Sequence, residues 1–275
     1  MLLEFACVGN DRYRGTLITD KKNNIMITLY GMHPAGGLRQ ISPFVAKVEM
    51  ALRYLKAEYK NESVGLFKIN RMSPNGKVPW IKIDDFELGE SDAIIEHLVQ
   101  MFDSDLLEGL SSDDQILGTA LKRLTEKNLY WYMVWSKWMT AESREEIIEC
   151  FFPHYPKFAR KLGSNYAIRL HASFSKVHGI GGLTEAAREA EATTDLLTLS
   201  NQLEKNDFLL GQDITVFDFS IASMLASILF HVPKTWLTDL AEDYPIFPAY
   251  LRRVSDRIGG YPFMQNDPAN PGPGN

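Results

Sequence analysis

Residues 76–95 constrain the fold more than any other part of the chain. They predict a short strand over residues 79–83, a second over 86–88, and a helix that begins at Glu90 and Ser91. Proline cannot donate a hydrogen bond to a sheet ladder, so a Val-Pro dipeptide at the start of an internal strand needs an explanation. It indicates a cis peptide bond, which turns free backbone groups towards a ligand. The Ser-Asp pair at the helix start offers free N–H groups and a positive dipole end to a carboxylate. Together these features predict a pocket for a small peptide-like anion.

The overall charge and the cysteine count limit the possible partners and compartments. The 275 residues carry a formal net charge of −6 at pH 7, with a pI near 5.6. This composition argues against a surface for nucleic acid or for an anionic membrane. The two cysteines, Cys7 and Cys150, cannot form a disulfide framework or a metal cluster of the usual spacing. We therefore expect free thiols in a cytoplasmic protein, and no metal.

The ends of the chain are expected to lie outside the folded core. Residues 1–25 lack the apolar core of a secretory signal and are predicted to be a poorly ordered extension. The tail, residues 265–275, is rich in proline and glycine and is predicted to be disordered. The longest apolar stretch, residues 216–232, is broken by Asp218, three serines and His231, so no membrane span is expected.

The apolar periodicity predicts two domains joined by a linker at residues 105–112. Residues 26–104 follow the order β-α-β, loop, β-β-α, which indicates a small mixed sheet with helices packed against it. Its first helix, about residues 42–56, is predicted to bury Phe44, Val48, Leu52 and Leu55. Residues 113–264 show helical patterns instead, with a stripe of Trp131, Trp135 and Trp138 and helices over about residues 183–205, 216–230 and 248–258.

A local signal marks the start of the most apolar helix. Thr215 and Asp218 have the T-x-x-D spacing of a capping box, in which each side chain satisfies a free N–H of the other residue. Ile214 and Phe219 flank the box as a hydrophobic staple does. We expect this helix to be the buried axis of the second domain.

Four segments make the chain resemble the glutathione transferase superfamily. They are residues 42–44 (Ser-Pro-Phe), 75–79 (Asn-Gly-Lys-Val-Pro), 90–94 (Glu-Ser-Asp-Ala-Ile) and 211–219, which contains the capping box. The run over residues 42–53 and the segment 178–181 are similar to the branch containing metaxin and failed-axon-connections proteins. The resemblance implies an α/β thioredoxin-like N-terminal domain followed by an all-α C-terminal domain, and glutathione as the bound co-substrate.

The resemblance places the thiol of glutathione near the start of the first helix, where Ser42 stands. Redox relatives carry a nucleophilic cysteine at this place, and a serine cannot form the mixed disulfide. Its hydroxyl is a candidate donor to the thiolate, assisted by the helix N–H groups. The alternative is that Ser42 only caps the helix, with Pro43 at the first helical position. Tyr30 and His33 are the other candidate thiol partners.

The remaining glutathione contacts follow from the same resemblance. Val78 is expected to pair through its backbone with the cysteinyl unit, as Pro79 allows. Ser91 is expected to bind the γ-glutamyl carboxylate and Glu90 the ammonium group, with helix capping as the alternative. Lys77 is a candidate partner for the glycyl carboxylate. The alternative is that Lys77 is only a solvated surface residue.

The second substrate is expected between the two domains, beside the aromatic helix. Tyr130 and Tyr132 fall off the tryptophan stripe and are candidates for an apolar acceptor site. The histidines His154, His171 and His178 do not share a metal-ligand spacing, and residues 178–181 are predicted to form a helix-breaking turn.

The leading functional prediction is an enzyme that activates glutathione and transfers its thiolate to an apolar electrophile. One alternative is a non-catalytic adaptor of the metaxin-like type. Another is a glutathione-dependent reductase, isomerase or dehalogenase, which would share the glutathione site. The resemblance also allows a homodimer, usually formed between the sheet domain of one protomer and the helices of the other.

Overall fold

The computed structural model describes residues 25–153 and 155–265. The predicted N-terminal extension, apart from Ile25, and the predicted tail from residue 266 onwards lie outside the described residues, as does His154. Within the described part, a mixed sheet with three helices is followed by a helical half, as the fold-class prediction states.

The first half contains the sheet elements in the predicted order. These are β1 (Ile27–Gly31), α1 (Pro43–Tyr54), β2 (Tyr59–Ser63), α2 (Ile69–Met72), β3 (Trp80–Ile83), β4 (Phe86–Gly89) and α3 (Ser91–Met101). The strand order is β2-β1-β3-β4. β1 is parallel to β2 and antiparallel to β3, and β3 is antiparallel to β4.

Helix α1 is buried on nearly every side, because it lies between the sheet and the helical half. Val48 and Leu52 are buried as the periodicity predicts, whereas Phe44 and Leu55 are only half-buried. Unexpectedly, the charged side chains of Lys47 and Glu49 are also buried. A four-residue pattern cannot reveal this, because the second covering layer comes from α9, far along the chain.

The second half is built from helices. In chain order they are α4 (Ser112–Arg123), a π-helical segment (Leu124–Leu129), α5 (Tyr130–Trp138), α6 (Ala141–Phe151), α7 (Lys157–His178), α8 (Glu185–Leu203), α9 (Val216–Leu229), α10 (Trp236–Glu242) and α11 (Ile246–Arg257). α7 ends where the sequence predicts a turn, and Gly179 adopts a left-handed conformation with φ of 103°. Twelve of the fourteen residues of α9 are buried, which makes it the central helix of this half.

Asp218 connects three segments inside the helical core. The N–H and the hydroxyl of Thr215 both donate to Asp218 Oδ2, each over 2.8 Å. Asp218 Oδ1 accepts from the backbone of Leu209 and from the hydroxyl of Tyr250 on α11, again over 2.8 Å. The buried carboxyl therefore fixes the start of α9 against the preceding loop and against α11.

Candidate glutathione site

Three strands bring the predicted site residues to one edge of the sheet. Trp80 at the start of β3 is paired with Tyr30 near the end of β1 and with Gly89 at the end of β4. Pro79 immediately precedes β3 and Glu90 immediately follows β4, so both residues lie at this edge of the sheet. Because α1 connects β1 to the parallel strand β2, it begins at the edge where β1 ends. Ser42 thus lies at this edge as well.

The Val78–Pro79 peptide bond is cis, as the sequence indicates. Val78 precedes β3, so its backbone lies outside the pairing of β3 with its neighbouring strands. Its side chain is half-buried. The loop before it is held by Ser73, whose hydroxyl donates to the Lys77 carbonyl over 2.6 Å. The Lys77 N–H in turn donates to Ser73 Oγ over 3.1 Å, and its side chain is exposed.

Glu90 has a backbone conformation that few L-residues adopt. Its φ is 69° and its ψ is 118°, which lies outside the left-handed helical region and costs roughly 1–3 kcal/mol. The Glu90 carboxylate is exposed and accepts a hydrogen bond of 3.0 Å from Asn75. The following residue, Ser91, is buried and begins α3. The turn thus holds an exposed carboxylate directly before a helix N-terminus.

Ser42 occupies the cap position of α1 without capping it. Its backbone is extended, Pro43 follows in the first turn, and within the described chain its hydroxyl forms no capping hydrogen bond. The side chain is half-buried. The hydroxyl is therefore not committed to the end of the helix.

The alternative thiol partners lie at different places on the same edge. The Tyr30 ring stacks on Trp80, with centroids 4.5 Å apart and planes inclined by 3°, and it is half-buried. His33 is exposed in the loop that follows β1.

Lys47 links the two helices of the site to the second half, a connection that the sequence analysis missed. Its buried ammonium contacts Asp92 in the first turn of α3 and lies 2.7 Å from Glu126 in the π-helical segment. Lys122 lies 2.8 Å from the other oxygen of Asp92. Burial raises the pKa of Asp92, but the two lysines outweigh that effect and lower it to about 2. The only available signal was a lysine between the apolar residues Val45 and Val48 of α1.

Glu49 fixes the loop that leads to Ser42. Its buried carboxylate accepts hydrogen bonds from five side chains: Arg39, Gln40, Tyr59, Asn61 and Tyr261. Burial acts to raise the pKa of Glu49, but these donors and the Arg39 charge hold it below its usual range. The sequence does not reveal this cluster either, because its members are up to 212 positions apart in the chain.

The same loop also contacts the helical half through Gly36. A Cβ atom at Gly36 would lie 2.7 Å from Nε2 of the buried His231, and its φ is 57°, so both space and conformation require glycine there. The Gly36 carbonyl accepts from the Val232 N–H over 2.9 Å. Nearby, Lys137 is buried and donates to the Ser227 carbonyl over 3.1 Å. Burial lowers the Lys137 pKa to about 7.

A small cavity lies on the β2 side of this edge, apart from the predicted contacts. Its volume is about 180 Å³, and Met32, Arg39 and Gln40 are among its lining residues. Ligand pockets usually measure roughly 300–1,000 Å³. Ser42, Val78, Glu90 and Ser91 do not line this cavity.

The two candidate acceptor residues point to different places. Tyr130 contacts Phe44 at the start of α1, with ring centroids 5.2 Å apart, and burial raises its pKa. Tyr132 is buried in the helical core and donates its hydroxyl to Glu191 on α8. The structure therefore brings Tyr130, and not Tyr132, close to the start of α1.

The described residues show neither a metal centre nor a membrane-spanning helix. Among them, no group of three or more His, Cys, Asp or Glu side chains is placed to hold a metal ion. No helix within residues 25–153 or 155–265 is long and apolar enough to cross a membrane.

Comparison with known proteins identifies the family. A model of the glutathione S-transferase N-terminal domain matches residues 43–143. The isoprene-epoxide–glutathione S-transferase of Rhodococcus sp. (strain AD45) is 30% identical over 235 residues, which cover 83% of this chain and 98% of that protein. Failed axon connections of Drosophila melanogaster is 23% identical over 256 residues, covering 84% of this chain and 58% of that protein.

Solved structures show the same fold. The β-etherase of Sphingobium sp. strain SYK-6 superposes with a TM-score of 0.56 at 17% identity, covering 83% of this chain and 94% of that one. Apo glutathione S-transferase III gives a TM-score of 0.53 at 19% identity, covering 83% and 91%. The predicted superfamily resemblance and the two-part fold are both confirmed. The chain belongs to the glutathione S-transferase family.

Proposed function

We propose that the protein binds glutathione and transfers its thiolate to a small apolar electrophile. The observation that carries this proposal is the sheet edge where the cis Val78–Pro79 bond, the Glu90–Ser91 helix start and the uncommitted Ser42 hydroxyl lie together. The similarity to an isoprene-epoxide transferase supports an epoxide as the class of electrophile.

Each part of glutathione has a proposed partner at this edge. The Val78 backbone pairs with the cysteinyl unit as an added strand would. Ser91 and the N-terminal N–H groups of α3 bind the γ-glutamyl carboxylate, which the helix dipole favours. The Glu90 carboxylate binds the γ-glutamyl ammonium group, and Lys77 lies on the side of the glycyl carboxylate.

Ser42 is proposed to activate the thiol. Its hydroxyl donates to the thiolate, and the start of α1 adds a favourable dipole. Lowering a thiol pKa by about two units requires roughly 2.7 kcal/mol of preferential thiolate stabilisation. The thiolate then attacks an epoxide carbon, the C–S bond forms as the C–O bond breaks, and the alkoxide takes a proton from water. Tyr130, beside Phe44, is the proposed apolar wall on the acceptor side.

Calorimetric titration of the purified chain with glutathione tests the binding step. We expect heat from one site in the wild type and at least tenfold weaker binding in Ser91→Ala, on the order of 1.4 kcal/mol. Ser112→Ala is the matched control, because Ser112 is the first residue of α4 as Ser91 is of α3. An absence of heat at millimolar glutathione would disprove the proposal.

A second experiment tests the chemistry. The thiolate absorbance of the glutathione complex is titrated with pH for the wild type, Ser42→Ala and Tyr30→Phe. We expect a raised thiol pKa only in Ser42→Ala, together with loss of the adduct formed from isoprene epoxide, followed by mass spectrometry. An unchanged thiol pKa in Ser42→Ala would remove Ser42 from the mechanism.

The second candidate function is an adaptor without turnover, which the similarity to Failed axon connections favours. This candidate predicts that the protein forms no adduct with any epoxide, even where glutathione binds. The adduct measurement therefore separates the two functions.

The domain boundaries, the location and the oligomeric state belong to the same proposal. We propose a sheet domain at residues 26–104, a linker at 105–112 and a helical domain at 113–264, supported by the end of α3 at Met101 and the start of α4 at Ser112. We also propose a cytoplasmic location and retain the possible homodimer, which sedimentation velocity tests.

A further inference from the structure

Helix α7 has a composition unlike that of the rest of the chain. Its 22 residues contain five basic side chains and no acidic one, whereas the whole protein carries a formal net charge of −6. A positive segment of this size in an acidic protein marks a local surface that the net charge conceals.

The outer face of α7 carries large apolar side chains in solvent. Phe158, Leu162 and Tyr166 are 72%, 69% and 61% exposed. They are four positions apart, so they form one row along the helix. On the opposite side, Gly163 and Ala167 are buried against the protein. Helix α7 is therefore packed against the protein on one side, and the row lies on its solvent-facing side.

A second segment packs against the buried side of α7. A Cβ atom at Gly163 of α7 would lie 2.9 Å from the Phe67 ring, so the segment before α2 packs directly beside α7. Phe67 is itself 51% exposed, and Met72 at the end of α2 is 48% exposed. We name the row of Phe158, Leu162 and Tyr166, with the basic residues that border it, the α7 surface.

Basic side chains border the apolar row. Lys161 and Arg169 follow Phe158 and Tyr166 by three positions, so each lies beside a member of the row. Lys157, Lys161, Arg169 and Lys176 are all exposed, and none forms an ion pair with a described residue. The fifth basic residue, Arg160, pairs with Glu149 of α6 over 3.3 Å.

We propose that the α7 surface binds the anionic face of a lipid bilayer. Exposed aromatic and aliphatic side chains bordered by lysine and arginine are the features of helices that lie in the membrane interface. Acidic lipid head groups complement the unpaired basic residues, and the apolar row enters the boundary between head groups and acyl chains. The composition-based expectation of no anionic-membrane surface does not apply to this helix, because charge at the contact decides binding.

A second copy of the chain that docks its own α7 against this α7 fits the surface less well. A two-fold symmetric contact brings the same patch of both protomers together. It would set the unpaired cations of one α7 against those of the other, at a cost that an anionic surface does not incur.

Vesicle co-sedimentation of the full chain tests the proposal. The probes are vesicles of phosphatidylcholine alone and vesicles in which phosphatidylserine replaces part of it. We expect the protein to sediment with the phosphatidylserine vesicles, only weakly with phosphatidylcholine, and less as ionic strength rises. Failure to bind phosphatidylserine vesicles at low ionic strength would overturn the proposal.

Two variants locate the contact. Lys161→Glu with Arg169→Glu is expected to weaken binding by about tenfold or more, since each basic residue near an anionic membrane contributes about a fivefold factor. Phe158→Ser with Leu162→Ser is expected to weaken binding while leaving the charge unchanged. The matched control is Lys205→Glu with Arg252→Glu. It changes the net charge by the same amount as the Lys161, Arg169 variant, at exposed positions after α8 and on α11.

Circular dichroism and thermal unfolding establish that each variant is folded before its binding is measured. Binding that survives in both α7 variants, or that falls equally in the control, would contradict the proposed surface. Sedimentation velocity provides a further check. A wild-type dimer that the Phe158→Ser, Leu162→Ser variant converts to monomers would assign the surface to a second copy and overturn the lipid proposal.

Discussion

The Lys47 ammonium on α1 lies 2.7 Å from the Glu126 carboxylate in the π-helical segment, and both side chains are buried. This pair joins the sheet half to the helical half directly behind the start of α1. Because Lys47 also contacts Asp92 at the start of α3, one ammonium positions both helix ends of the proposed glutathione site.

Lys47→Met is expected to destabilise the protein by about 3–5 kcal/mol. The substitution leaves the Glu126 carboxylate buried without its counter-charge, and this costs more than the pair contributes. Adding Glu126→Gln should recover part of the loss, because the uncompensated charge is then removed. Urea unfolding of the two single variants and the double variant measures the coupling free energy.

The exposed pair Lys60–Glu62, 3.3 Å apart, is the control for this cycle. Its coupling should be under about 1 kcal/mol, since solvent screens both charges. A Lys47–Glu126 coupling no larger than that of the control would show that burial gives this pair no special importance.

Asp92 is expected to titrate with a midpoint of about 2 in the folded protein. Its pKa is lowered relative to the unfolded value of 3.8, so its contribution to stability is complete above about pH 4 and is lost as the pH falls towards 2. Because the side chain is 56% exposed, solvent screening limits that contribution to about 1 kcal/mol. Asp92→Asn should therefore be less stable than wild type at pH 6, with only a small part of that difference left at pH 2. A difference as large at pH 2 as at pH 6 would have another cause.

The sequence predicts the parts of the site that depend on neighbours in the chain. The strand starts near Trp80, the cis Val78–Pro79 bond and the helix that begins at Ser91 all follow from residue types within a few positions. These features are governed by proline geometry and by helix ends, which are local physics.

The sequence does not predict the charged groups inside α1. A helical pattern assigns Lys47 and Glu49 to solvent, and only the packing of α9 and the C-terminal segment over α1 buries them. The same packing turns Phe44 away from the core of the sheet half and towards Tyr130. Such contacts depend on the arrangement of distant helices, which apolar periodicity does not encode.

Lys137→Met is expected to stabilise the protein at pH 6 by on the order of 3 kcal/mol. Burial lowers the Lys137 pKa from 10.5 to about 7, with Cys150 opposing this weakly. Below pH 7 the folded protein holds a buried charge at a cost. Between pH 7 and 10.5 it releases a proton that the unfolded chain retains, so wild-type stability rises with pH and the difference from the variant narrows.

Urea unfolding at several pH values from 6 to 10 measures this dependence. Lys205→Met is the control, because Lys205 is exposed and should show no comparable pH-dependent difference. If the Lys137→Met variant is less stable than wild type at pH 6, the hydrogen bond to the Ser227 carbonyl outweighs the cost of burying the charge.

Glu90→Gly and Glu90→Ala are expected to separate backbone strain from ligand binding. Both substitutions remove the carboxylate, but only glycine adopts φ of 69° with ψ of 118° at little cost. Relief of roughly 1–3 kcal/mol of strain, less roughly 0.5–1 kcal/mol for the added flexibility of glycine, should leave Glu90→Gly about 1 kcal/mol more stable than Glu90→Ala. Thermal unfolding measures this difference.

Glutathione titration of the same two variants completes the test. Both should bind about tenfold more weakly than wild type, because a charge-assisted hydrogen bond to the γ-glutamyl ammonium is lost. Glu96→Ala, which removes an exposed carboxylate from the same α3 helix, should bind as wild type does. Should Glu90→Gly gain stability and keep full affinity, the strained turn would have no part in holding glutathione. Loss of affinity in the more stable variant would instead show that the strain at Glu90 is retained for binding.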